Sequence, residues 1–250
     1  MKRSFCALGE FFCYSFDVAR KFFSRRYSLA ACTSQMYRVG VESLSVVNLC
    51  AFFIGLVLVV QTASMLARFG AKTQVSMIIS ASFVREIGPV FAAIMFTGRI
   101  GTGIAAEIGS MVVTEQIDAY RTFGADPIAK LAVPRVLATT FMLPALTLIS
   151  SIIGIFSGYL VGVFFMGMEA NVYIRNTLNT LTRVDVISCV VKGCVFGLMV
   201  GLISTHAGFR TGRATEAVGV STTRTMVEGV LSILIVDLIL TKFFLIVGGY

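Results

Sequence analysis

Charged side chains stand inside stretches otherwise built for lipid, namely Arg85, Glu86, Arg99, Glu107 and Asp237, with Lys192 near one end of its span. A charge at the centre of a bilayer costs about 2.5–3.5 kcal/mol on insertion scales, so it is retained where it meets a partner or a wet cavity. In "VREIGPV", Val84 to Val90, Arg85 and Glu86 come directly before Gly88-Pro89. Proline has no amide proton, so the helical ladder should break there and leave the charged pair at a kink. A cation and an anion beside apolar surface suit the headgroup of an amphipathic, lipid-like ligand. The other reading of the pair is a snorkelling anchor at the membrane edge. Arg99 and Glu107 share a helix face at a spacing of eight, and form either a buried helix-linking network or part of a polar path. Asp237 is five residues from Lys242, a poor spacing for a helical ion pair, and reads as structural rather than proton-carrying.

Other chemistry lacks its apparatus. There is no GxxxxGK[ST], hence no loop to cradle nucleotide phosphates. Cys6, Cys13, Cys32, Cys50, Cys189 and Cys194 form no CxxC pair, and His206 is the single histidine, so no metal site is expected. The cysteines read as apolar packing residues. No catalytic residue set is visible, and the chain reads as a non-enzyme.

These charges need elements to hold them. The 250 residues are 56% hydrophobic and 14% charged, with a mean hydropathy of +0.87. A soluble domain carries roughly a quarter charged residues, and a bilayer crossing takes about 20 apolar ones. The expected spans are Val46 to Leu66, one crossing within Val75 to Val113, one in Val136 to Met168, Val186 to His206, and Gly229 to Gly249. With the N-terminus inside, the cytoplasmic segments hold thirteen Lys/Arg and the external loops five. That bias supports N-terminus cytoplasmic, C-terminus outside. The net charge of +8 follows from it, and no nucleic acid is expected as a partner.

Before the spans, Leu8, Phe12, Phe16, Ala19 and Phe23 recur at helical spacing beside Arg20, Lys21, Arg25 and Arg26, predicting an amphipathic helix on an anionic membrane surface. No targeting segment is expected to be removed. Between the second and third spans, Thr114 is expected to cap a short helix that Gly124 ends, and Asp126 to cap the next with Pro127 at its first position. Small residues four apart mark close helix packing: Thr97, Gly101, Ala105 and Gly109, then Gly154, Gly158 and Gly162, then Gly193, Gly197 and Gly201. The fold class is an all-α polytopic membrane protein, with an N-terminal interfacial helix and five transmembrane helices. A single domain over 1–250 is expected, with 1–40 as the amphipathic segment and 41–250 as the bundle.

The stretch "REIGPVFAAIMFTGRIGTGIAAEIGSMVVTEQIDAYRTFGADPIAKLAVPR", with "GIFSGYLVGV" and "STTRTMVEGVLSILIVDLILT", resembles the MlaE/YrbE family of permeases of MCE-associated ABC lipid transporters. The likeness covers nearly the whole chain beyond about Val41. It implies a permease subunit in a bacterial inner membrane that moves lipids, phospholipids foremost, to or from periplasmic MCE-domain proteins. It implies a second copy of the chain, and a cytoplasmic ABC ATPase carrying the ATP and magnesium, with no cofactor here. By matching positions, Arg85 and Glu86 fall in the family's lipid cavity, and Phe53, Leu56, Val57, Val60 and Gln61 on its first-span wall. Glu115, Gln116, Asp118, Arg121 and Asp126 fall on a cytoplasmic coupling helix that meets the ATPase. The alternative from the residues alone is an ion-coupled secondary transporter of an amphipathic substrate, with Glu86, Glu107 and Asp237 carrying protons.

Overall fold

The computed structural model describes residues 2–24 and 28–248, which form helices and short connections, with no strand among the described residues. In chain order they are α1 (Lys2–Phe23), α2 (Leu29–Arg68), α3 (Val75–Val113), α4 (Gln116–Thr122), α5 (Ile128–Phe165), α6 (Ala170–Thr180), α7 (Arg183–Phe209) and α8 (Thr215–Gly248). Five of these, α2, α3, α5, α7 and α8, are long and apolar enough to cross a membrane. The chain is an all-α, multi-pass membrane protein.

Several boundaries differ from the hydropathy reading. The helix that carries the first span begins at Leu29 rather than Val46, so residues 29–45 extend it at its N-terminal end. Hydropathy stops at Arg38 and Glu42, but the backbone has no Pro or Gly pair there to end a helix, and Arg38 finds a carboxylate in Glu107. The fifth helix likewise starts at Thr215, not Gly229. Arg25 and Arg26 lie outside the described residues.

The expected kink at Gly88-Pro89 is replaced by a widened turn. Phe83–Ile87 is a π-helical turn, with the Gly88 amide bonded to the Phe83 carbonyl, and helix resumes at once over Gly88–Phe96. Widening by one residue lets the helix continue past a proline that cannot donate. Similar turns occur at Thr97–Gly101, Ile128–Ala132 and Val161–Phe165.

The chain forms two compact units. One comprises Met1–Glu42, Phe96–Met142 and Gly197–Ile233. Its core packs Val18 of α1 against Ala132, Val133, Val136 and Leu202, with Phe11 and Tyr14 alongside. Burial pushes the Tyr14 phenol above its usual range. His206 sits edge-on to Phe11 and tilted against Tyr14, with ring centroids 5.4 and 5.1 Å away. The other unit comprises Ser43–Met95, Leu143–Phe196 and Leu234–Tyr250. Its core joins Val59, Ala63, Val75, Ile79, Phe83 and Val161. Here α6 closes over α5 through Tyr173, stacked edge-on to Tyr159 at 5.6 Å, its phenol pushed up to about 12 by burial.

The small residues sit at close approaches within each unit. A Cβ added at Gly154 would meet the Phe83 ring, at Gly158 Val59 and the Tyr173 hydroxyl, and at Gly162 the Tyr173 ring. One at Gly193 would meet Pro144 Cα at 2.7 Å, at Gly197 the Thr139 carbonyl, and at Gly201 Thr139 Oγ1 and Val136 Cα. Gly101 faces Ser204, and Gly109 faces Thr211. Backbones this near one another make van der Waals contact that any side chain would abolish.

Candidate functional site

The second unit holds the densest set of charges in an apolar setting. Pro89 lacks the N–H that an α-helix would direct at the carbonyl four residues earlier, that of Arg85. Lys192 of α7 takes the vacancy, its Nζ lying 3.0 Å from the Arg85 carbonyl oxygen. The same ammonium lies 2.8 Å from Glu86 Oε2, 2.8 Å from Thr241 Oγ1 and 2.8 Å from Asp237 Oδ1. The Thr241 hydroxyl in turn donates to Glu86 at 3.0 Å. Lys192 is 2% exposed, whereas the Glu86 side chain remains 41% exposed.

Arg85 is held by a second device. Thr182 and Asp185 form a reciprocal capping box at the start of α7: the Thr182 amide donates to Asp185 Oδ2 at 2.8 Å, and the Asp185 amide to Thr182 Oγ1 at 3.3 Å. The fully buried Asp185 carboxylate also receives Arg85 Nε at 2.7 Å. Arg85, Glu86 and Lys192 then line a cavity of about 50 Å3 with Ser188, Thr241, Phe244 and Leu245. Its lining combines charged side chains with the apolar Phe244 and Leu245, a mixture that can bind the polar end of an amphiphile.

The first unit carries its own ion network. Glu107 pairs with Arg38 at 3.3 Å and with buried Arg135 at 3.0 Å. Glu107 thus joins α3 to α2 and α5, while Arg99 on its own helix is exposed. Asp237 likewise pairs with Lys192 rather than Lys242. In each case the partner lies on another helix, which spacing along one helix cannot reveal.

Between the second and third spans, α4 buries Ile117 and exposes Glu115, Gln116 and Arg121. Asp118 pairs with Arg121 at 3.2 Å and Arg213 at 3.4 Å. The expected Thr114 cap is not made, because its hydroxyl turns back to the Ser110 carbonyl. Glu115 instead turns the chain with a φ of 57°, and Gly124 ends the helix with a φ of 68°. Asp126 does cap the next helix, accepting the Ile128 amide at 3.0 Å, and also receives Lys21 Nζ of α1 at 2.7 Å. Partial burial raises this carboxyl, but the Lys21 hydrogen bond and charge and the Ala129 and Ile128 amides outweigh it, so it ends below its usual value.

Comparison with known proteins gives a consistent answer. The family model for Permease MlaE matches residues 32–243. A probable ABC transporter permease protein of Rickettsia felis is 38% identical over 95% of this chain and 92% of its own length. The intermembrane phospholipid transport system permease protein MlaE of Haemophilus influenzae is 34% identical over 83% of this chain and 80% of its own. An Arabidopsis thaliana chloroplast protein, TRIGALACTOSYLDIACYLGLYCEROL 1, is 35% identical over 84% and 60%.

The chain belongs to the MlaE permease family.

In this MlaE-family chain, Arg85 and Glu86 share one cavity, while the α2 residues stand elsewhere in the same unit. Phe53, Val57, Val60 and Gln61 form an exposed strip on α2, with Leu56 half-buried against the core. None of the five lines the cavity beside Glu86. Sequence reasoning missed Lys192, Asp185 and Thr241 as site residues. The signal for Lys192 was present, since a lone lysine in one apolar span answers carboxylates in two others.

Proposed function

We propose that this chain is the permease subunit of an ATP-driven transporter that moves lipids, phospholipids foremost, between a bacterial inner membrane and periplasmic MCE-domain proteins. The observation that carries this reading is the Arg85–Glu86–Lys192 cluster, set in membrane-spanning helices and bordered by Phe244 and Leu245. A charged edge beside an apolar wall binds a headgroup and the start of its chains together. The names of the Haemophilus and Rickettsia relatives support both the lipid and the ABC parts of the reading.

In this scheme a separate cytoplasmic ATPase carries ATP and magnesium. The polar residues at and just before α4 (Glu115, Gln116, Asp118, Arg121), with Asp126, would receive its stroke. A second copy of the chain would cover the α2 strip of Phe53, Val57 and Val60 and complete the lipid cavity. The N-terminus would be cytoplasmic and the C-terminus periplasmic. Transport would follow from unequal lipid binding in two conformations whose balance ATP shifts.

The test is reconstitution of the natively purified complex, with phospholipid transfer measured with and without ATP. ATP-dependent transfer, lost in Asp118→Arg together with ATPase co-purification, is expected. Transfer that follows a proton gradient without any ATPase would overturn the reading in favour of an ion-coupled carrier.

A further inference from the structure

Lys192 Nζ has four acceptors within 3.0 Å: the Arg85 carbonyl, Glu86, Thr241 and Asp237. An ammonium carries three N–H donors. One acceptor must therefore go without, and it is Asp237 Oδ1, which lies at ion-pair distance yet makes no hydrogen bond. Thr241 cannot supply it, because its single hydroxyl proton is given to Glu86. Formal charge shows the same shortage. Arg85 answers Asp185, but Glu86 and Asp237 share the one charge of Lys192. Arg183 and Lys242, the nearest other cations along α7 and α8, are exposed. The cluster thus holds one carboxylate more than it has cations, and its open edge is Glu86, on the cavity.

We propose that this site selects lipids whose headgroup bears a primary ammonium, by a hydrogen-bond exchange in which that ammonium takes the place of Lys192 on Glu86 and Lys192 turns its freed N–H to Asp237. No covalent bond changes. With the ligand seated, two cations face two carboxylates, and Asp237 gains the donor it lacks. A headgroup such as glycerol would bring the same phosphate with no cation to set against the surplus. A choline headgroup would bring the positive charge without an N–H to donate. The cavity, about 50 Å3, admits a small group such as an ammonium and its adjoining methylene rather than a whole lipid, which would lean on Phe244 and Leu245.

The inference rests on the lipid-transport reading, and its test separates the two. The full-length permease, with the subunits that co-purify, is exchanged into nanodiscs of equal parts phosphatidylethanolamine, phosphatidylcholine and phosphatidylglycerol, and the retained lipids are counted by native mass spectrometry. Phosphatidylethanolamine should exceed phosphatidylglycerol about tenfold, the worth of one charge-assisted hydrogen bond, with phosphatidylcholine between them. Glu86→Gln should bring the ratio to within about twofold by removing the acceptor's charge. Asp237→Asn should also lower it, because it removes the surplus charge while the Glu86 edge remains. Retained lipid without a phosphatidylethanolamine preference in the wild type, or a preference unaltered in both variants, overturns the exchange and leaves the transport reading standing. No retained lipid of any class overturns both. The wild-type comparison decides the matter even where a variant does not fold.

Discussion

Pro89 donates no proton, so the Arg85 carbonyl is open to a side chain from another helix, and Lys192 fills the place. That single contact draws a buried ammonium to the end of α3, and Glu86, Thr241 and Asp237 gather around it. Removing one partner from a buried ionic set leaves the others uncompensated, typically a loss of 3–5 kcal/mol. Lys192→Met should therefore lower stability by about 3 kcal/mol, at the small end because Glu86 can rehydrate. Neutralising the whole set, as Lys192→Met with Glu86→Gln and Asp237→Asn, should recover most of that loss. Thermal unfolding followed by size-exclusion fluorescence in one lipid–detergent mixture checks both, and a triple variant no more stable than the single would refute the charge account. Arg85→Ala is no surface truncation either, because it strips a fully buried Asp185 of its guanidinium. It should cost stability even where lipid is absent.

At the scale of elements, α1 and the helix begun by Asp126 are joined by the Lys21–Asp126 pair over the core around Val18. The folded Asp126 carboxyl titrates below its ordinary value of 3.8, so the pair's contribution is present above that value and is lost as the pH falls through the lowered one. Hydrogen exchange at α1 amides should accelerate below about pH 4 and stay level between pH 5 and 8. Asp126→Asn keeps a capping residue while removing the ion pair, so α1 exchange should rise with α5 unchanged. Helix packing makes a sharper contrast. Gly197→Ala would drive a methyl into the Thr139 carbonyl and should cost about 1–3 kcal/mol, whereas Gly103, with open space at its Cβ, should accept Ala with no loss. Equal melting temperatures for the two would count against close packing of α5 on α7.

For the molecule as a whole, the proposed five crossings would put the two ends of the chain on opposite faces of a membrane. In a background without native cysteines, Asn179→Cys should react with an impermeant thiol reagent added to spheroplasts, and Gly212→Cys should react only after lysis. The opposite pattern would invert the proposed orientation without altering the helices. An extra crossing inside α3 would also exchange the two positions, and Ala71→Cys separates the cases, since it stays reactive from outside with the extra crossing and becomes hidden in a wholly inverted chain.

The fold class, the five apolar helices and the Gly124 and Asp126 turns between α3 and α5 were legible in the amino-acid sequence, because they follow from local quantities. These are the length of an apolar run, the missing amide of a proline, the positive φ that Gly124 supplies, and a capping Asp126. Arg85 and Glu86 could be singled out for the same reason, as charges out of place in lipid. What surrounds them could not. Lys192, Asp185, Thr241 and Asp237 stand about 100 to 155 residues from the pair, and only the packing of α3, α7 and α8 decides that they meet. Nor could spacing show that Glu107 answers Arg38 and Arg135 rather than Arg99 on its own helix. Sequence determines where a charge must find a partner, since the cost of leaving it bare is paid locally. Tertiary structure decides which partner, since helices in lipid turn to whichever face packs best.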